Sequence, residues 1–180
     1  MLHTLGGLHL EGAARQQAGP LVLLAYLALE GPQERRGAQE LFFPGHADAA
    51  GRLRMMLHRI KLAAPSALET PGTRLQTFLP SDAAELLQVA ERGEAAQVLS
   101  LYRGRFLDGV RLPGDQELEE WVFATRERLC ARVRTCHLEL GRAAALRGDT
   151  GLALTHAERA YLLPGAPEPG RDEARRLAQD

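Results

Sequence analysis

The sequence contains few aromatic side chains, only two cysteines and no long apolar run. Two thiols do not build the disulfide framework of a small secreted protein, and they suit a reducing compartment. The longest apolar stretch, Leu21–Leu29, is far shorter than the roughly 20 residues that span a membrane, and no basic region followed by an apolar stretch opens the chain. We therefore expect a cytoplasmic protein that has no membrane partner.

Sequence signals for catalysis and metal binding are missing as well. There is no Gly-rich phosphate loop, nucleophile elbow or pair of carboxylates at a suitable spacing, so we expect neither an enzyme nor a cofactor. The histidines and cysteines lack metal-ligand spacing, since Cys136 and His137 are adjacent and face different directions. Cys130 and Cys136 lie about 240° apart on a helix, so we expect two partly buried thiols that do not form a disulfide with each other.

Charge is nearly balanced over the chain but unevenly distributed. Residues 1–80 contain eight Lys and Arg against six Asp and Glu, while residues 81–180 contain fourteen against seventeen. With a formal net charge of -1 there is no global basic field, so any affinity for nucleic acid must come from a local patch and must depend on salt.

The first half of the chain has the pattern of two small β elements around three helices. Alternation over Leu2–Leu10 predicts short strands, and the stripe that follows Pro20 and ends before Gly31 predicts a helix. A second helix fits Glu34–Phe42, and a third fits Ala47–Ala64. Two extended pieces around a Pro-Gly turn in Leu68–Leu75 predict a β-hairpin. This order is that of a winged helix-turn-helix.

The third helix carries the functional hypothesis. Asp48 is placed to cap it, and Leu53, Leu57 and Ile60 share one apolar face with Met56 on its flank. The candidates for base contact are Arg54, Met55, His58 and Lys61, and those for phosphate contact are Arg52 and Arg59. The alternative is a solvated face with a few charges, and outward Met55 and Leu62 fit thymine methyl groups or a protein interface about equally.

Three further arginines are candidates for DNA contact. Arg74 lies in the predicted wing, within reach of the minor groove or backbone, although a lone exposed arginine also fits this position. Arg35 and Arg36 open the second helix, where the amino terminus itself favours a phosphate, although a solvated charge pair fits as well.

The second half is helical throughout and contains two similar stretches, residues 90–99 and 145–154. Each ends a helix at Arg-Gly and reopens one at an acid, which predicts a tight helical hairpin that stacks on its neighbours. Between them, a loop at Tyr102–Gly109 leads to a long helix that starts near Glu117. We expect Tyr102, Phe106 and Trp121 to pack inside the protein.

The motifs of both halves resemble those of a known family. Leu101–Leu107, Glu120-Trp121 and Arg126–Leu129 are similar to the bacterial transcriptional activator domain of antibiotic-regulatory-type activators, and Leu53-Arg54 with Leu57–Lys61 resembles the recognition helix of that family. The resemblance covers roughly Leu5 to Leu163. It implies a tetratricopeptide-like helical domain after a winged helix of the response-regulator effector type.

We therefore expect a mainly α protein with a small β component, in which residues 1–79 form a winged helix-turn-helix and residues 80–180 form tetratricopeptide-like antiparallel helical hairpins. The expected function is that of a DNA-binding transcription regulator of the activator type. Its expected partners are double-stranded DNA, RNA polymerase or another regulator, and a second copy in a homodimer that binds two half-sites. The alternative is a protein-interaction adaptor whose winged helix no longer binds DNA.

Overall fold

Helices dominate the computed structural model, which describes residues 1–13, 16–112 and 116–163. Seven helices account for 61% of these residues, and the strands form two two-stranded sheets, which confirms a mainly α protein with a small β component. None of the described helices is both long and apolar enough to cross a membrane. Along the chain the elements are β1 (Leu2–His3), β2 (His9–Leu10), α1 (Ala18–Glu30), β3 (Gln33–Glu34), α2 (Arg35–Phe42), α3 (Ala49–Ala63), β4 (Arg74–Leu75), α4 (Asp82–Glu91), α5 (Ala95–Leu101), α6 (Gln116–Leu146) and α7 (Thr150–Leu162).

Local sequence signals explain where the helices of the first half begin and end. Pro20 lies in the first turn of α1, where its missing N–H costs nothing, and Gly31, with φ of 75°, follows the helix. The Asp48 side chain accepts a hydrogen bond from the Gly51 amide at 3.1 Å and caps α3 as predicted. Both α1 and α2 pack against α3.

Two short antiparallel ribbons flank these helices. In the first, β1 pairs with β2 and places Leu2 opposite Leu10. In the second, β3 pairs with β4 and places Gln33 opposite Leu75, which is fully buried. A bridge between Glu69 and Gln76 closes the predicted hairpin around its Pro-Gly turn. The strand β3 was not predicted. The second helix was predicted to begin at Glu34, but Glu34 belongs to β3 and the helix begins at Arg35.

The predicted helix turns of the second half are confirmed. Gly93 between α4 and α5 and Gly148 between α6 and α7 have φ of 74° and 78°, the left-handed conformation that glycine adopts readily. The Asp149 carboxylate accepts a hydrogen bond from the Leu152 amide at 3.0 Å at the start of α7. Each turn therefore joins two helices that pack against one another.

The two halves of the chain share one hydrophobic core. A continuous cluster of buried side chains runs from Leu2 to Cys136, across the boundary predicted between residues 79 and 80. The segment at Gly6 runs alongside the 103–107 segment, and the Gly6 amide donates to the Arg105 carbonyl at 3.0 Å. A β-carbon on Gly104 would lie 2.9 Å from the Gly6 Cα, so this approach requires glycine.

Asp82 fastens the amino-terminal ribbon to α4. Ser81 is the residue that precedes α4, and Asp82 is the first residue within the helix. Its buried carboxylate accepts hydrogen bonds from the Thr4 amide at 2.8 Å, the Thr4 hydroxyl at 2.6 Å and the Leu5 amide at 3.2 Å. Asp82 thus acts as a connector between distant segments as well as a residue of the first turn.

Candidate nucleic-acid interface

Helix α3 has one buried face and one exposed face. Leu53, Met56, Leu57 and Ile60 are buried against the rest of the first half, as predicted. The outward side is exposed over its whole length, and it contains Met55 at 54% and Leu62 at 71% exposure. The described helices of the second half are not among the principal packing partners of α3, which are α1 and α2.

The exposed side of α3 carries four cationic side chains and no acidic one. By the helical period, Met55, His58 and Leu62 lie at its centre, directly opposite the buried face. Arg54 and Lys61 form one edge, and Arg52 and Arg59 form the other. All six predicted site residues of this helix are exposed, so the structure brings them together on one surface.

Each cationic edge is held by a neighbouring element. The Lys61 ammonium donates to the Thr70 hydroxyl at 3.3 Å, which links one edge to the hairpin that ends in β4. The Arg59 guanidinium donates to the Gln17 side chain at 3.1 Å, which links the other edge to the start of α1. A cavity of about 580 Å³ between the start of α1 and α3 is lined in part by Arg52 and Arg59.

The other predicted arginines are already partnered or partly buried. Arg74 is exposed but paired, because its Nε atom lies 3.0 Å from a Glu34 carboxylate oxygen. Hydrogen bonds from Thr73 and Arg74 lower the pKa of Glu34, which keeps this carboxylate charged. Arg36 pairs with Glu40 at 3.0 Å, and Arg35 is half-buried at the start of α2. These three arginines therefore bring less free positive charge than the sequence analysis expects.

A contact between the halves was missed by sequence reasoning. The Trp121 indole and the Arg128 guanidinium both donate to the same carboxylate oxygen of Glu30, each at 3.1 Å. Trp121 also packs edge-on against Tyr26 and Phe106. Packing was predicted for Trp121, but its hydrogen bond joins residues 91 positions apart, and no local pattern signals such a pairing.

No family model, curated protein or solved structure matches the chain. The functional assignment therefore depends on the residues and the geometry described above.

Proposed function

We propose that the chain is a transcription regulator that binds double-stranded DNA through the exposed side of α3. The observation that carries the proposal is the layout of that side, in which cationic edges flank an uncharged centre on both sides. The wider proposal is a winged helix-turn-helix in residues 1–79, with the hairpin before β4 as the wing, followed by tetratricopeptide-like hairpins that contact a second copy, RNA polymerase or another regulator.

The dimensions and charges of α3 suit the major groove. A 15-residue helix is about 22 Å long, and the groove, about 12 Å wide, admits one helix. In that position Arg54, His58 and Lys61 face base edges or adjacent phosphates, and Met55 faces thymine methyl groups. Arg52 and Arg59 on the opposite edge reach the backbone of the other strand.

The test is a titration with duplexes of random sequence and with selected genomic fragments at two salt concentrations. Changing Arg54 or Lys61 to Ala should weaken binding by about 1–3 kcal/mol, or roughly 5- to 150-fold, because a base contact or a paired phosphate is lost. Arg52→Ala should weaken binding to every sequence and lower the salt slope by about one.

The matched control is Arg132→Ala, which removes an exposed arginine from α6, a helix that is not among the principal packing partners of α3. This variant should bind as the wild type does. A wild type that fails to bind any duplex at low salt, or α3 variants that behave like Arg132→Ala, would remove the proposal.

A second candidate function is a protein-interaction adaptor, which a specific feature favours. Leu62 is 71% exposed and borders a cavity of about 520 Å³ whose lining includes Leu10, Leu24 and Ile60. An exposed apolar side chain beside an apolar cavity is typical of a surface where a partner protein inserts an apolar side chain. On this alternative, Leu62→Ser abolishes partner binding, whereas Arg54→Ala leaves it intact.

A further inference from the structure

Helix α6 contacts the first half of the chain at the last residue of α1. One Glu30 carboxylate oxygen accepts hydrogen bonds from both Trp121 and Arg128, and the second of these is also an ion pair. The Glu30 side chain is only 30% exposed. A charged acceptor with two donors in a partly shielded position binds more firmly than an ordinary surface pair.

From Glu30 the contacts continue into the β3–β4 ribbon. The Gln33 side-chain amide donates to the Glu30 carbonyl at 3.1 Å, and the Tyr26 hydroxyl donates to the Gln33 side-chain oxygen at 3.3 Å. The Tyr26 ring in turn lies edge-on to Trp121, with centroids 5.2 Å apart. Gln33 is thus held from two sides by residues that α6 itself contacts.

The ribbon carries Arg74, which the sequence indicates as a candidate for DNA contact in the wing. Gln33 pairs with Leu75 across the ribbon, and the next pair places Glu34 opposite Arg74, where the two side chains form an ion pair. The orientation of Arg74 therefore depends on β3, which follows Glu30 by only a few residues.

We propose that α6 positions the β3–β4 ribbon through Glu30, and that Arg128 is a positioning residue for the DNA contact made by Arg74. We call the contacts of Glu30 with Trp121 and Arg128 the clamp. When the clamp is broken, the ribbon moves, whereas the charges of α3 stay in place. The DNA part of this inference rests on the proposed function, but the mechanical part does not.

The mechanical part is tested without DNA by amide hydrogen exchange in Arg128→Ala. The backbone amides at residues 33–34 and 74–76 should exchange several-fold faster than in the wild type, because the ribbon loses its anchor. Arg128→Lys keeps the positive charge and an N–H donor for Glu30, so it should restore the wild-type rates. The matched control is Arg92→Ala, which removes an ion pair of similar exposure near the turn between α4 and α5.

Ribbon exchange that is equal in Arg128→Ala and Arg92→Ala would overturn the inference, and so would Arg128→Lys that behaves like Arg128→Ala. These outcomes do not depend on whether the protein binds DNA. A wild type that binds no duplex, combined with faster ribbon exchange in Arg128→Ala, would remove the proposed function and leave the clamp standing.

The DNA part is tested by a double-mutant cycle between Arg128→Ala and Arg74→Ala. Arg128→Ala should weaken duplex binding about threefold or more in the wild-type background and have no further effect once Arg74 is gone. A residue that supports the fold in general would weaken binding equally in both backgrounds. Additive losses would therefore overturn the positioning role while leaving the proposed function of α3 intact.

Discussion

Asp82 and Glu30 each use a single carboxylate to connect segments that are distant in the sequence. Asp82 is buried and accepts three hydrogen bonds from Thr4 and Leu5, about 80 positions away. Glu30 is partly exposed and accepts from two residues of α6. Because Asp82 is buried, its hydrogen bonds contribute mainly to stability. Because Glu30 is partly exposed, breaking its contacts with α6 should cost less free energy of unfolding.

The variant Asp82→Ala should be strongly destabilised. The change leaves buried donors of Thr4 and Leu5 without their acceptor, and each such donor costs about 1–3 kcal/mol. We expect the free energy of unfolding in urea to fall by about 3 kcal/mol.

The comparison for this prediction is Asp149→Ala, which removes the exposed cap of α7 and should cost about 1 kcal/mol. Equal losses in the two variants would show that the hydrogen bonds of Asp82 to the amino-terminal segment add nothing to stability.

At the scale of elements, the helices were predictable because their signals are local. The third helix was predicted over Ala47–Ala64 and runs over Ala49–Ala63, since Asp48 caps it and Pro65 stands just beyond it. Its buried and exposed faces follow from the apolar spacing alone. The strand β3 was missed because it contains only two polar residues and depends on a partner some 40 positions later.

The α6–α7 hairpin was predicted, but the histidine contact within it was outside the reach of local patterns. His137 is buried, and its Nδ1 atom lies 3.0 Å from the Nδ1 atom of His156. The sequence suggested only that Cys136 and His137 face different directions, and His156 comes from another helix. Burial, followed by the charges of His156 and Arg159, lowers the pKa of His137.

We expect the packing of α7 on α6 to weaken in acid, because His137 is buried between these helices. Because the folded-state pKa of His137 lies below its ordinary value of 6.5, the unfolded chain binds the proton more readily. Stability contributed by neutral His137 is therefore present above about pH 6.5 and is lost as the pH falls below it. We expect the free energy of unfolding to be lower at pH 5 than at pH 7.

The variant His137→Gln lacks the titrating group and should lose less stability between these two pH values than the wild type. The control is His58→Gln, which changes an exposed histidine on α3 and should keep the wild-type dependence. Identical pH dependence in His137→Gln and the wild type would contradict the assignment to this pair.

Over the whole molecule, the loop between α5 and α6 contacts both halves of the chain. Phe106 is buried, its backbone bridges to Leu5, and the Arg126 guanidinium donates to the Phe106 and Leu107 carbonyls at 2.7 and 2.9 Å. The sequence predicted this loop and the packing of Phe106, but its pairing with the amino-terminal segment depends on the assembled fold. The union of the halves leaves the cationic side of α3 facing outward.

Lys61 provides the most direct measurement of the central claim, because it is the only lysine in the sequence and stands on an edge of α3. An amine-reactive reagent should modify Lys61 several-fold more slowly when duplex DNA is added at low salt, and high salt should restore the rate. The same reaction with duplex DNA at high salt serves as the reference, because screening releases the DNA without changing the lysine itself. If DNA left the labelling of Lys61 unchanged at low salt, or if high salt failed to restore the rate, the assignment of α3 as the DNA-binding surface would be contradicted.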